Sequence, residues 1–176
     1  MTMGAGRIAM SMIMQYIRIR DEELATLRRL LAEDPDGAFD YADELADGGD
    51  EDLPAEQSRS LDTDKTWDAM AFLLHRAGEP AVDVVRGGIR LTEDEWGYGP
   101  PRYLTPDQVS RAASDLDATP FYRLALQFDP AQMTELYPGI WHDHDSLSYL
   151  RGWYERLTTF FRLAAADRDG MVIFLT

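Results

Sequence analysis

The chain has 176 residues, 45% of them apolar and 11% aromatic, with 32 acids against 17 bases and a formal charge of −15. That length and composition support one compact domain with a full core and exclude global disorder, while the absence of cysteine excludes disulfides, thiolate metal sites and cysteine nucleophiles. A surface this acidic disfavours phosphate-directed binding of nucleic acid and adsorption to anionic membranes.

Ile8–Ile19 is apolar, but Ser11, Gln15 and Arg18 interrupt it and no small-residue cleavage site follows. It also falls short of the ~20 apolar residues of a membrane span. A soluble cytoplasmic protein is expected. Residues 1–11 read as a flexible extension, with Met10 and Met12 both able to serve as initiators, and 12–176 as a single domain.

Met12–Arg20 alternates as a strand, with Ile13, Ile17 and Ile19 on one face and Met14, Tyr16, Arg18 and Arg20 on the other. Asp21 then caps a helix whose apolar stripe is Leu24, Leu27, Leu30 and Leu31, and Pro35 stops it. A short helix is expected over Gly37–Leu45, inside an acidic loop region spanning about 34–60, and Asp47–Asp52 is loop by composition. A helix opened by Leu61-Asp62-Thr63-Asp64-Lys65-Thr66-Trp67 runs to about Ala77, with Gly78 as its terminator. Val82–Val85 and Ile89–Leu91 read as two short strands around Gly87-Gly88. The turn Gly97-Tyr98-Gly99-Pro100-Pro101 follows, displaying Tyr98, Arg102 and Tyr103 before a helix from Pro106 to Leu116. That helix carries a threonine cap at Thr105, proline at its first position and a capping-box glutamine at Gln108.

Thr119-Pro120 and Asp129-Pro130 begin two further segments, and Tyr137-Pro138-Gly139 is a sharp turn. Asp145 or Ser146 caps the longest helix, whose stripe is Leu147, Leu150, Tyr154, Leu157, Phe161 and Ala164. Met171–Leu175 is an uninterrupted apolar run of the kind that forms a buried strand. The reading is an α+β fold: one predominantly helical domain with a small sheet containing the N-terminal and C-terminal strands.

Asp34–Glu56 holds ten acids and no base, so two thirds of the excess charge lies in 23 residues. The plain account is a solvated segment; the sharper one is a surface presented to a basic partner. Asp47–Asp52 lacks the spaced ligands and terminal glutamate of a calcium loop.

Four stretches together resemble the YfbM-like family of bacterial proteins. They are Met12–Tyr16, Leu61–Trp67 with His75 beyond it, Gly97–Val109, and Tyr137-Pro138-Gly139-Ile140-Trp141 with the helix and strand that follow. The resemblance implies a single α+β domain with no established activity or cofactor, so no catalytic role is carried over. Pro101 stands where a small residue such as alanine is expected.

His142-Asp143-His144-Asp145 offers metal-type donors, but alternate loop residues fix no geometry, and capping acids in a loop explain them. His75 sits near a helix C-terminus, where the dipole favours its charged form, and seven residues from Asp68, too far for a direct bond. No phosphate loop, dinucleotide fingerprint, zincin helix or Gly-x-Ser-x-Gly is present, and Ser110, Ser114, Ser146 and Ser148 have no assigned base. The candidate ligand-binding set is therefore Lys65, His75, Tyr98, Arg102 and Tyr103, residue types that grip a carboxylate, phosphate or planar ring. No catalytic residue, metal ligand or cofactor is assigned.

Two functional readings follow. The preferred one is a small binding protein recognising a basic protein partner, with an antitoxin- or immunity-type role compatible with that physics. The alternative is a small-molecule-binding domain or enzyme with a pocket beside the Gly97–Tyr103 turn.

Overall fold

The structure, a computed structural model, describes residues 11–47 and 54–176. Residues 1–10 of the expected extension and Gly48–Asp52 of the acidic loop lie outside that set. In chain order the elements are β1 (Met14–Ile19), α1 (Asp21–Glu33), α2 (Pro35–Asp47), β2 (Ser60–Asp62), α3 (Trp67–Gly78), β3 (Ile89–Arg90), β4 (Arg102–Leu104), α4 (Pro106–Asp117), α5 (Phe121–Ala125), α6 (His144–Ala166) and β5 (Gly170–Leu175).

The strands form one sheet in the order β2-β1-β5-β4-β3, with every neighbouring pair antiparallel. Both expected terminal strands are in it, side by side, with Met14 opposite Leu175 and Ile19 opposite Gly170. Ile13 and Thr176 exchange backbone hydrogen bonds at 2.7 and 3.0 Å, closing the pair at the chain end.

Helices cover both faces, so the sheet lies between two cores. Met14, Tyr16, Leu104, Met171 and Ile173 meet α3, α4 and α6 on one side. Ile17, Ile19, Tyr103, Val172 and Phe174 meet α1, α2 and Trp96 on the other. The double covering explains why β5 reads as a continuous apolar run: each successive residue enters a core. It also explains why Arg18, placed by alternation on the polar-looking face of β1, is only 3% exposed.

Several boundaries differ from expectation, each for a local reason. Pro35 does end α1, but it also starts α2, where a missing N–H costs nothing. The Asp34 carboxylate accepts the Gly37 N–H at 3.2 Å there. The short helix expected over Gly37–Leu45 consequently extends over Pro35–Asp47, taking up the first part of the acidic region expected as loop. Ser60–Asp62 is a strand because it pairs with β1, leaving a 3-10 turn at Asp64–Thr66 before α3 begins.

Val82–Val85 is a turn rather than a strand, since the Asp83 carboxylate accepts the N–H groups of Val85 and Arg86 at 2.9 and 2.8 Å. Gly78 remains helical, and Glu79 takes the left-handed cap at φ 45°. Asp143, not Asp145 or Ser146, caps α6 by accepting the Ser146 N–H at 2.9 Å. The α4 start is as expected: Thr105 Oγ1 accepts the Gln108 N–H at 3.3 Å, and Gln108 Oε1 accepts the Thr105 N–H at 2.9 Å.

Candidate functional site

The five residues singled out in the sequence do not share one cluster. Arg102 and Tyr103 lie on β4, opposite Ile173 and Val172 respectively, so their side chains leave opposite faces of the sheet. Arg102 donates from Nη1 to the Gly88 carbonyl at 3.2 Å, joining β4 to the preceding turn. Tyr103 is buried in the α1–α2 core, with the Arg28 guanidinium 5.7 Å from its ring centre. Burial pushes its hydroxyl pKa up, the nearby Asp21 carboxylate adds to that, and Arg28 opposes it.

Lys65 follows β2 at the far edge of the sheet, three inter-strand spacings from β4, about 14 Å. His75 is exposed at the end of α3, 3.8 Å from Glu79, an ion pair only when the imidazole is protonated. Tyr98 is 43% exposed.

The glycine-proline turn is firmly held. Its Tyr98 N–H donates to the Leu175 carbonyl at 2.8 Å and its Trp96 N–H to the Gly99 carbonyl at 2.9 Å. Gly97 has φ +85°, and a Cβ there would lie 2.6 Å from the Leu175 carbonyl oxygen, so the turn can sit on the end of β5 only as glycine. What the turn presents is Trp96, which the sequence reading passed over. Trp96 packs edge-to-face with Phe174 and with Phe39 of α2, each at 5.4 Å between ring centres.

Beside these rings opens a cleft of about 610 Å³ reaching from Pro35 to Gly97. Asp36, Asp40, Asp94 and Glu95 line it. Among the described residues no lysine, arginine or histidine is within ion-pair distance of any of the four. Phe39, at 37% exposure, supplies accessible aromatic surface.

The other two motif regions converge as fasteners. The Trp67 and Tyr137 rings stack at 5.8 Å, Trp67 Nε1 donates to the Met12 carbonyl at 3.1 Å, and Tyr137 Oη accepts the Met12 N–H at 2.9 Å. Trp141 stacks on Tyr149, whose hydroxyl donates to Asp64 at 2.5 Å. Burial and the Asp64 carboxylate push that hydroxyl's pKa well up, so Tyr149 stays protonated. Asp143 is committed to its cap, His142 and His144 are exposed, and Ser146 and Ser148 donate to backbone carbonyls of their own helix start.

A second cleft, of about 820 Å³, opens at the other end of the β1–β5 pair. Its floor is Arg18, which donates from Nε to Asp169 Oδ2 at 2.8 Å and also pairs with Asp167. In its wall Arg59 grips Glu23 with two nitrogens, at 2.6 and 3.3 Å. Burial raises the Glu23 pKa, but the Arg59 hydrogen bond and charge, with the Arg20 N–H, outweigh it and leave the carboxyl below the usual range.

None of this cleft was singled out from sequence. Its parts are scattered from residue 18 to residue 169, and only Arg18, a charge inside an alternating strand, was a local signal. Likewise Trp96 sits alone among polar residues, and no periodicity marks it.

The fold is similar to that of YfbM from Escherichia coli, a protein of unknown function, at a TM-score of 0.62 and 20% sequence identity over 93% of this chain and 99% of that one. No curated protein matches the chain significantly. A family profile described as a domain of unknown function, DUF1877, matches residues 10–174, and the chain therefore belongs to that family.

Proposed function

We propose that this protein is a recognition module that takes a basic segment of another protein into the acidic cleft between α2 and Trp96. The observation that carries this reading is the set of four carboxylates, unpaired among the described residues, around an aromatic floor. Carboxylates attract a lysine or arginine, and an accessible ring edge and face give its alkyl stem and charge a dry surface. The overall charge of −15 speeds the encounter with a cationic partner.

The test is calorimetric titration of an arginine- and lysine-containing peptide at low and high salt. Binding should weaken about tenfold or more at high salt, and equally in a variant carrying Asp36→Asn, Asp40→Asn, Asp94→Asn and Glu95→Gln. Affinity indifferent to both changes refutes the reading. The cleft also touches Gly97, so it is where the alternative, a small-molecule ligand beside the turn, would bind. A free guanidinium compound binding as tightly as the peptide would favour that alternative.

A further inference from the structure

The cleft at the joined ends of β1 and β5 carries open charges of both signs. Arg20 and Arg168 line it, as do Asp21, Glu22 and Glu56, and all five are exposed. Among the described residues these five form no ion pair, with one another or with anything else. The cations and anions therefore face a common space without neutralising each other. Beneath them, the Nη1 of Arg18, a side chain more than nine-tenths buried, has no hydrogen-bond partner among the described residues. Arg59 Nε, enclosed within the wall, has no partner among the described residues either. Of the two, only Arg18 Nη1 keeps accessible surface, so it is the nitrogen a ligand's oxygen atom would reach.

The backbone beneath Arg168 is also informative. After α6 the Asp169 N–H donates to the Ala164 carbonyl and the Arg168 N–H to the Ala165 carbonyl, the paired hydrogen bonds of a Schellman cap. That motif needs a left-handed residue and normally uses glycine, yet Arg168 occupies it at φ +58°. The cap holds Asp167 and Asp169 against Arg18, and it fixes Arg168 at the rim. The left-handed backbone there is strained for a residue with a Cβ, and it places a guanidinium rather than a glycine at the charged rim.

We propose that this cleft is a binding site for a small zwitterion bearing a carboxylate and an ammonium group, of the type presented by a free amino acid or short unblocked peptide. The carboxylate is taken by Arg168, Arg20 and the free Arg18 nitrogen, and the ammonium by Asp21, Glu22 and Glu56. A simple anion is a poorer occupant. Nine of the ten lining residues are ionisable, five acidic against four basic, so an anion meets net repulsion where a molecule of both signs does not. The site is separate from the α2–Trp96 cleft and stands or falls independently of it.

The experiment is an NMR titration of the full chain with a pool of unblocked dipeptides, repeated with the N-acetylated pool, the C-amidated pool and inorganic phosphate. The unblocked pool should shift the backbone amides of Asp21, Glu22, Arg168 and Gly170 saturably. Each blocked pool, and phosphate, should bind at least about tenfold more weakly. Arg168→Gly should raise the melting temperature by relieving the cap while reducing dipeptide affinity about tenfold or more. Arg20→Gln should reduce affinity without lowering the melting temperature. No saturable shift, equal binding of phosphate or of either blocked pool, or undiminished affinity in both variants would overturn the proposal.

Discussion

Gly97 and Gly170 are glycine because of what lies opposite them. A Cβ on Gly170 would come within 2.5 Å of the Tyr103 ring, and one on Gly97 would strike the end of β5 from a left-handed backbone. Gly97→Ala and Gly170→Ala should each lower unfolding free energy by about 1–3 kcal/mol in urea titrations; an unchanged midpoint would mean that the opposing groups yield freely. Glu23 gives a pH signature. Its carboxyl pKa is depressed in the folded state, so the pair with Arg59 stabilises the protein above the ordinary glutamate pKa of about 4.3. That contribution is lost as pH falls through the folded-state value. Glu23→Gln should therefore melt lower than the parent at neutral pH, and the difference should shrink toward zero under acid, as followed by circular dichroism at stepped pH.

Among the elements, α2 is where folding and the proposed recognition of a basic segment would conflict most directly. Asp36, Asp40 and Glu44 recur at four-residue spacing on one helix, so like charges stack along it. Each such pair costs about 0.2–0.5 kcal/mol. Asp40→Lys replaces two repulsions with two attractions and should raise stability by about 0.5 kcal/mol or more at low salt, while removing affinity for a basic peptide. Denaturation and calorimetry on the same variant measure the two effects. A variant that gains stability and binds as before would remove α2 from the recognition surface. Added salt should stabilise the parent more than this variant, because the parent has more repulsion on α2 to screen.

At the scale of the molecule, β5 couples everything. It lies between β1 and β4 and feeds Ile173 to one core and Val172 to the other. A sheet shared in this way leaves neither core able to persist without the other. Ile173→Ala should cost about 2–5 kcal/mol, and Val172→Ala, from the opposite core, should shift the same single transition. Coincident far- and near-ultraviolet circular dichroism melts would establish this; two separated transitions would show independent cores.

The features legible in the amino-acid order were those set over a few residues. Thr105, Pro106 and Gln108 start α4 whatever surrounds them, and the stripe from Leu150 to Ala164 defines the buried side of α6. The run Met171–Leu175 announced a strand covered on both faces. Pairing across long separations was not legible: three-residue β2 and β4 are strands only because β1 and β5 offer them hydrogen bonds. The sites belong to that second class. Local order marked Tyr98, Arg102 and Tyr103, but strand alternation sent Arg102 and Tyr103 to opposite faces of the sheet. Trp96 met Phe39, and Arg18 met Asp169, only through folding. Sequence by itself determined the helices, the terminal strands and the rigid turn, because capping, periodicity and glycine sterics act within a few bonds. Tertiary structure decided which charges share a cleft, because that depends on contacts between residues as much as 151 positions apart.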